Sequence, residues 1–364
     1  MRRSAMHHVW GGLALAGVAA ALAGVTVQPA AAAPIRWLTV QLGAHRFGQL
    51  RSPDAIVARA GVHDVGFSDP ANGGQGCGDD IPHGPRLFDV GRDGSIWVLD
   101  EINQRLLRWT RGRPARPVDS IALPKGLGFR DFTVGSNGTI YVAAIDLEGG
   151  QTNLYALTAT GAVRWQEPIA GGSGNVLLRI GPDGRLYTTP QSPGGRAAMW
   201  MPLTTPFGRP LSVAQQRHGR RRSQPVGRGL QLISSQRSAH EVRFALLDRT
   251  GRVVRAWRVT SRSPLGFMRV APALVGEDLV VSLDVTREAK KTFLWEHLVL
   301  RLAPEGGIQR QAALKAGALW GDDGSGTPLR IGSDGRLYQL RTDPKTGMTV
   351  ARYSLGRTTS LGRR

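Results

Sequence analysis

The chain has 364 residues, 41% hydrophobic and 20% charged, with a formal charge of +20. That balance supplies a real core and excludes a disordered charged tail. One cysteine excludes a disulfide-stapled scaffold, while 48 glycines and 22 prolines point to a chain full of turns.

The first 33 residues, MRRSAMHHVWGGLALAGVAAALAGVTVQPAAAA, carry Arg2 and Arg3, an apolar run and a small-residue end at Ala30-Ala31-Ala32. This is the pattern of a secretory signal, predicted over 1–32, with an uncleaved membrane anchor as the alternative. The expected location is therefore secreted or extracytoplasmic, at the cell surface or in the periplasm. Removing Arg2 and Arg3 leaves a mature charge of +18. Lysine supplies only five of the 47 basic residues, a skew that a GC-rich genome explains. The excess of 47 bases over 27 acids is a separate matter, and it favours anionic partners or a polyanionic wall. Nucleic acid is not expected outside the cytoplasm. Residues 33–83 read as an N-terminal arm with one predicted strand, RWLTVQLG at 36–43.

From residue 84 a repeat organises the chain. LFDVGRDGSIWVLD (87–100), FTVGSNGTIYVAA (132–144), LRIGPDGRLYTTP (178–190) and LRIGSDGRLYQL (329–340) share apolar alternation, a turn ending in glycine, and alternation again with an aromatic. Each is a predicted β-hairpin. Their first glycines, Gly91, Gly135, Gly181 and Gly332, are 44, 46 and 151 residues apart, so the last gap has room for two degenerate copies. Residues 230–244 and 268–285 are the candidates. Between these lies a second hairpin family: RLLRWTRGRPARPVDSIAL, LYALTATGAVRWQEPI, MWMPLTTPFGRPLSVA, FALLDRTGRVVRAWRV, LVLRLAPEGGIQRQAAL and the terminal VARYSLGRTTSLG. Six pairs of hairpins predict an all-β fold, a six-bladed β-propeller of four-stranded antiparallel blades over 84–364. The strand at 36–43 either closes the ring by pairing into the last blade or belongs to a loosely packed N-terminal arm.

The stretch GPRLFDVGRDGSIWVLDEINQRLLRW (84–109) resembles an NHL repeat, through Asp100, Asn103 and Arg105. LYALTATGAVRWQ (154–166) resembles the repeats of PQQ-type quinoprotein propellers, whose late tryptophan stitches blades together. Both resemblances imply a propeller, and neither fixes a chemistry. A PQQ enzyme implies a vicinal cysteine pair, which Cys77 alone does not provide. Asp100, Asn103 and Arg105 read as a structural tie between the second strand and the third.

In such a blade the first-to-second and third-to-fourth strand turns share one face of the disc, here the turn face. The remaining connections, among them most of the long ones, fall on the other, the loop face. Arg86, Arg130, Arg228 and Arg269 precede or begin innermost strands and are predicted to rim the channel as a carboxylate or phosphate site. Arg217, Arg220, Arg221 and Arg222 form a cationic run suited to a polyanion partner. Asp79, Asp80 and His83, beside Cys77 and downstream of His63 and Asp64, lack a recognised metal spacing, as do Asp322 and Asp323; turns are the simpler reading. No G-x-S-x-G elbow or H-E-x-x-H motif occurs. Asn137-Gly138-Thr139 fits a glycosylation sequon but sits in a predicted turn. The chain is expected to be a monomeric binding module for an anionic small molecule, glycan or protein, with no cofactor. The alternative is a metal-assisted hydrolase or lyase on an anionic glycan or lactone, using Asp79, Asp80, Asp322 or Asp323.

Overall fold

The repeated turns fix the hairpins. Gly94 and Gly335 lie at φ 80° and 70°, left-handed values that residues with a Cβ rarely adopt. Their amides bond back to the Gly91 and Gly332 carbonyls at 2.9 Å. Asp93 and Asp334 accept the Ser95 and Arg336 amides at 2.9 and 3.0 Å, which locks each turn from the side chain. Residues 135–139 and 181–185 repeat this backbone pattern. In the first of them Asn137 Oδ1 accepts the Thr139 amide at 3.0 Å, so the sequon asparagine holds a turn.

The computed structural model describes residues 35–67, 84–171, 176–190, 200–266, 272–289, 292–315 and 328–356. Their strands form the six blades of a β-propeller. The arm supplies β1 (Leu38–Leu42) and β2 (Ala55–Ala60). Blade 1 is β3 (Leu87–Val90), β4 (Ile96–Asp100), β5 (Arg105–Trp109) and β6 (Asp119–Ala122). Blade 2 is β7 (Leu127–Val134), β8 (Ile140–Asp146), β9 (Thr152–Leu157) and β10 (Val163–Pro168). Blade 3 holds β11 (Val176–Ile180), β12 (Leu186–Pro190) and β13 (Met201–Pro202), followed by a short helix, α1 (Val213–His218). Blade 4 is β14 (Gln224–Gly227), β15 (Leu230–Ser238), β16 (Glu241–Leu247) and β17 (Val253–Ser261). In blade 5 the first strand comes in two parts, β18 (Leu265–Gly266) and β19 (Ala273–Val275), before β20 (Asp278–Ala289), β21 (Thr292–Leu302) and β22 (Ile308–Lys315). Blade 6 is β23 (Leu329–Ile331), β24 (Leu337–Asp343) and β25 (Gly347–Tyr353), completed by β2.

Three sequence expectations are corrected here. The strand at 36–43 does not enter the last blade: β1 runs parallel to β17, Leu38 opposite Trp257, as a fifth strand of blade 4. Closure falls to β2, antiparallel to β25 with Ala55 opposite Arg352, in the place that the terminal segment after Tyr353 was expected to fill. Residues 230–244 are not a first hairpin but join the second and third strands of blade 4, β15 and β16. Alternation marks 36–43 and 230–244 correctly as strands, but a period of two is the same whichever neighbour a strand has, and β2 is not among the predicted strands.

Cohesion lies between blades. Leu99 and Leu106 of blade 1 pack with Phe132 and Val142 of blade 2, while Phe88 and Trp109 on its other side meet Tyr338, Met348 and Ala58 of blade 6. Each large apolar side chain buried this way contributes about 1.5–3 kcal/mol. Trp257, the late tryptophan of blade 4, is fully buried and donates its Nε1–H to the Ala303 carbonyl at 2.9 Å, tying that blade to blade 5. Trp165, in the segment that carried the PQQ-type resemblance, packs beside Tyr141 instead.

Candidate functional site

The innermost strands approach one another around the axis, β23 beside β3, β3 beside β7 and β7 beside β11. Two residues before the turn glycine, the aligned copies place Asp89, Thr133, Arg179 and Arg330. Asp89 Oδ2 accepts the Thr133 hydroxyl at 2.7 Å and the Val134 amide at 2.9 Å, joining blade 1 to blade 2. Asp131, fully buried, accepts the Leu178 amide at 2.7 Å and Arg179 Nη1 at 3.2 Å on one oxygen. Its other oxygen takes Arg330 Nη2 at 3.0 Å. Arg330 Nε donates to the Phe88 carbonyl at 3.0 Å, with Asp89 Oδ1 at 3.6 Å. Two carboxylates and two guanidinium groups thus lace blades 6, 1, 2 and 3 together at the centre. Burial pushes the Asp131 carboxyl up to about 6, against the pull of Arg330. Arg179 Nη2 and Arg330 Nη1 are buried without an acceptor among the described residues. The arrangement holds charge in place across four blades.

Three of the four arginines expected at the channel rim lie among the described residues. Arg86 Nε donates to both Glu101 oxygens at 3.1 Å, so its charge is used within blade 1. Arg130 is half-buried at the bulge of β7 between Phe129 and Asp131. Arg228 sits at φ 53° in the tight turn between β14 and β15, hence on the turn face and not at a loop-face rim, 3.9 Å from Glu277. The cause is the shifted hairpin of blade 4, which moves Arg228 from the start of a strand to its end. Arg269 lies outside the described residues, as do Cys77, Asp79, Asp80, His83, Asp322 and Asp323. Among the described residues no three His, Cys, Asp or Glu side chains gather as a metal site. Asp64 accepts the Gly61 amide at 2.9 Å in a turn.

Asp100, Asn103 and Arg105 form the expected tie. Asp100 Oδ2 accepts Asn103 Nδ2 and Arg105 Nε, each at 2.9 Å, and Oδ1 accepts the Gly66 amide at 3.0 Å. The motif therefore also anchors the arm, which sequence reasoning did not foresee.

The cationic run lies on the loop face among the described residues. Helix α1 starts at Ser212 with a reciprocal cap from Gln215. The buried Gln216 side chain accepts the Ala170 amide at 2.9 Å and donates to the Pro168 and Leu211 carbonyls at 2.9 and 2.8 Å. Arg221 and Trp200 exchange two backbone bonds of 2.7 Å, pinning the exit from the helix to blade 3. On this frame Arg217, Arg220, Arg221 and Arg222 are all exposed, and none has an acidic partner among the described residues. Such guanidinium groups bind phosphate, sulfate or carboxylate through paired N–H donors.

No protein-family model matches the chain, and no curated protein matches it. Among solved structures it is similar to a luciferin-regenerating enzyme, at 10% identity and TM-score 0.43 over 75% of this chain and 92% of that one. It is also similar to virginiamycin B lyase from Staphylococcus aureus, at 8% identity and TM-score 0.38 over 73% and 94%. A third is the PQQ-bound aldose sugar dehydrogenase of Streptomyces coelicolor, at 12% identity and TM-score 0.42 over 83% and 96%. At such identities no residue role passes from these proteins to this chain.

Proposed function

We propose that the chain is an exported, monomeric propeller that binds a polyanionic partner, such as a wall glycan, on its loop face at α1. One observation carries this reading: four exposed arginines on a frame fixed by Gln216 and by the Trp200–Arg221 bridge, with no acidic neighbour to neutralise them among the described residues. The formal charge of +20 adds long-range attraction of the same sign. The leader-like segment at 1–32 supports export, which places such a surface where anionic polymers are found. The test is retention of the purified protein on immobilised dextran sulfate, with neutral dextran as control. Retention that salt weakens, and that the R217Q/R220Q/R221Q/R222Q variant loses at moderate salt, is the expected result. Equal retention of the variant and the parent refutes the reading.

A further inference from the structure

On the opposite, turn face, a cleft of about 400 Å³ opens where the ring closes, between blades 6 and 1. Three turns bound it: residues 92–94 and 110–114 of blade 1 and 333–334 of blade 6, with the start of β2 as one wall. The walls are held in register. Ser333 Oγ donates to the Arg92 carbonyl at 3.1 Å, and the Arg59 amide donates to the Pro114 carbonyl at 2.8 Å. The cleft therefore exists before anything binds, and its volume lies in the range of small-molecule sites.

Its chemistry is two-sided. Ile56, Val57 and Val90 give it an apolar lining. Arg92, Arg111 and Arg352 line it as well, and none forms an ion pair among the described residues. Two carboxylates share the cleft, but both are committed to their turns. Asp93 Oδ1 accepts the Ser95 amide at 2.9 Å and its hydroxyl at 2.6 Å. Asp334 accepts the Arg336 amide at 3.0 Å and the Tyr338 hydroxyl at 2.8 Å. Three guanidinium groups against two carboxylates leave the lining a net formal charge of +1, beside an apolar surface.

We infer that this cleft is a second binding site, independent of the loop-face surface, for a small amphipathic anion: a flat apolar body bearing a carboxylate or phosphate. The apolar body lies against Ile56, Val57 and Val90, and the anionic head meets Arg92 and Arg111. Because the cleft spans both blades of the closure, an occupant is also a clasp on the ring and raises its stability.

The probe is 1-naphthyl phosphate, with uncharged 1-naphthol as comparison, each titrated by calorimetry and by thermal unfolding. Arg92 and Arg111 are exposed, so the R92Q/R111Q variant keeps its fold, which its unliganded melting temperature verifies. The expected result is naphthyl phosphate binding with an upward melting shift in the parent protein, weakened at least about tenfold in R92Q/R111Q. The loop-face R217Q/R220Q/R221Q/R222Q variant retains that binding in full, which separates this site from the dextran sulfate surface. No binding at millimolar probe, equal binding by naphthol, or equal binding by R92Q/R111Q overturns the inference.

Discussion

Asp131 concentrates the electrostatics of the molecule. Its folded-state value of about 6 exceeds the ordinary 3.8, so the folded chain binds the proton more tightly than the unfolded one. Its contribution to stability accordingly grows as pH falls from about 6 towards 4 and is constant above that window. The D131N variant cannot titrate there, so the parent should gain stability relative to it as pH falls across that interval in denaturant titrations. A pH-independent gap contradicts the assignment. Other carboxylates act in the opposite sense: turn hydrogen bonds hold Asp248 and Asp343 below the ordinary range, and their contribution is lost as pH falls through it. Removing Arg330 leaves Asp131 buried with Arg179 as its remaining guanidinium, and R330M should cost about 3–5 kcal/mol. At Gly66 a Cβ would lie 2.3 Å from Ile102 Cβ and 2.8 Å from Asp100 Oδ1. G66A should lower stability by about 1–3 kcal/mol and free the arm, read as new protease cleavage near residue 66.

At the scale of elements, the hairpins were legible because their turns need glycine at positive φ and their strands need alternation, both local demands. Partnership was not. The Ala55–Ala60 segment pairs with residues 348–352, and nothing in AIVARA specifies a partner so far along the chain. Blade 4 misled for a related reason: its first turn is Gly227-Arg228-Gly229, without the Asp-Gly or Asn-Gly of blades 1, 2, 3 and 6, so the next hairpin was taken in its place. The cationic run Arg217–Arg222 was legible as charge, while the centre was not. Asp89, Arg179 and Arg330 occupy the polar positions of the alternation, where a solvated side chain is the ordinary reading, and their pairing with one another requires the circle to be closed first. Ala58, fully buried in β2, tests that closure. A58R forces a guanidinium between blades 6 and 1 and should destabilise by at least about 3 kcal/mol, whereas V254R, exposed on β17, should stay within about 0.5 kcal/mol.

For the molecule as a whole, the arm works as a strap. After β1 on blade 4, His45 Nε2 meets Glu296 of blade 5 at 2.7 Å and the Gly48 amide donates to the same carboxylate at 2.7 Å. The Arg51 amide reaches the Ala313 carbonyl at 2.9 Å, β2 completes blade 6, and Gly66 reaches Asp100 of blade 1. One segment thus spans four consecutive blades and closes the ring through the β2–β25 pairing inside blade 6. Its buried Val40 and Leu42 alone contribute on the order of 3–6 kcal/mol, a large share of a typical total of about 5–15 kcal/mol. A chain beginning at residue 61 should therefore lose its single cooperative thermal transition, because blade 6 then ends at β25 with an unpaired edge. A synthetic peptide of residues 35–60 added in trans should restore that transition, saturating with peptide concentration as a bound strand does. A scrambled peptide of the same composition should not. If the shortened chain melts as the full one does, the ring closes without its strap, and the stability of the propeller resides in the other blade contacts.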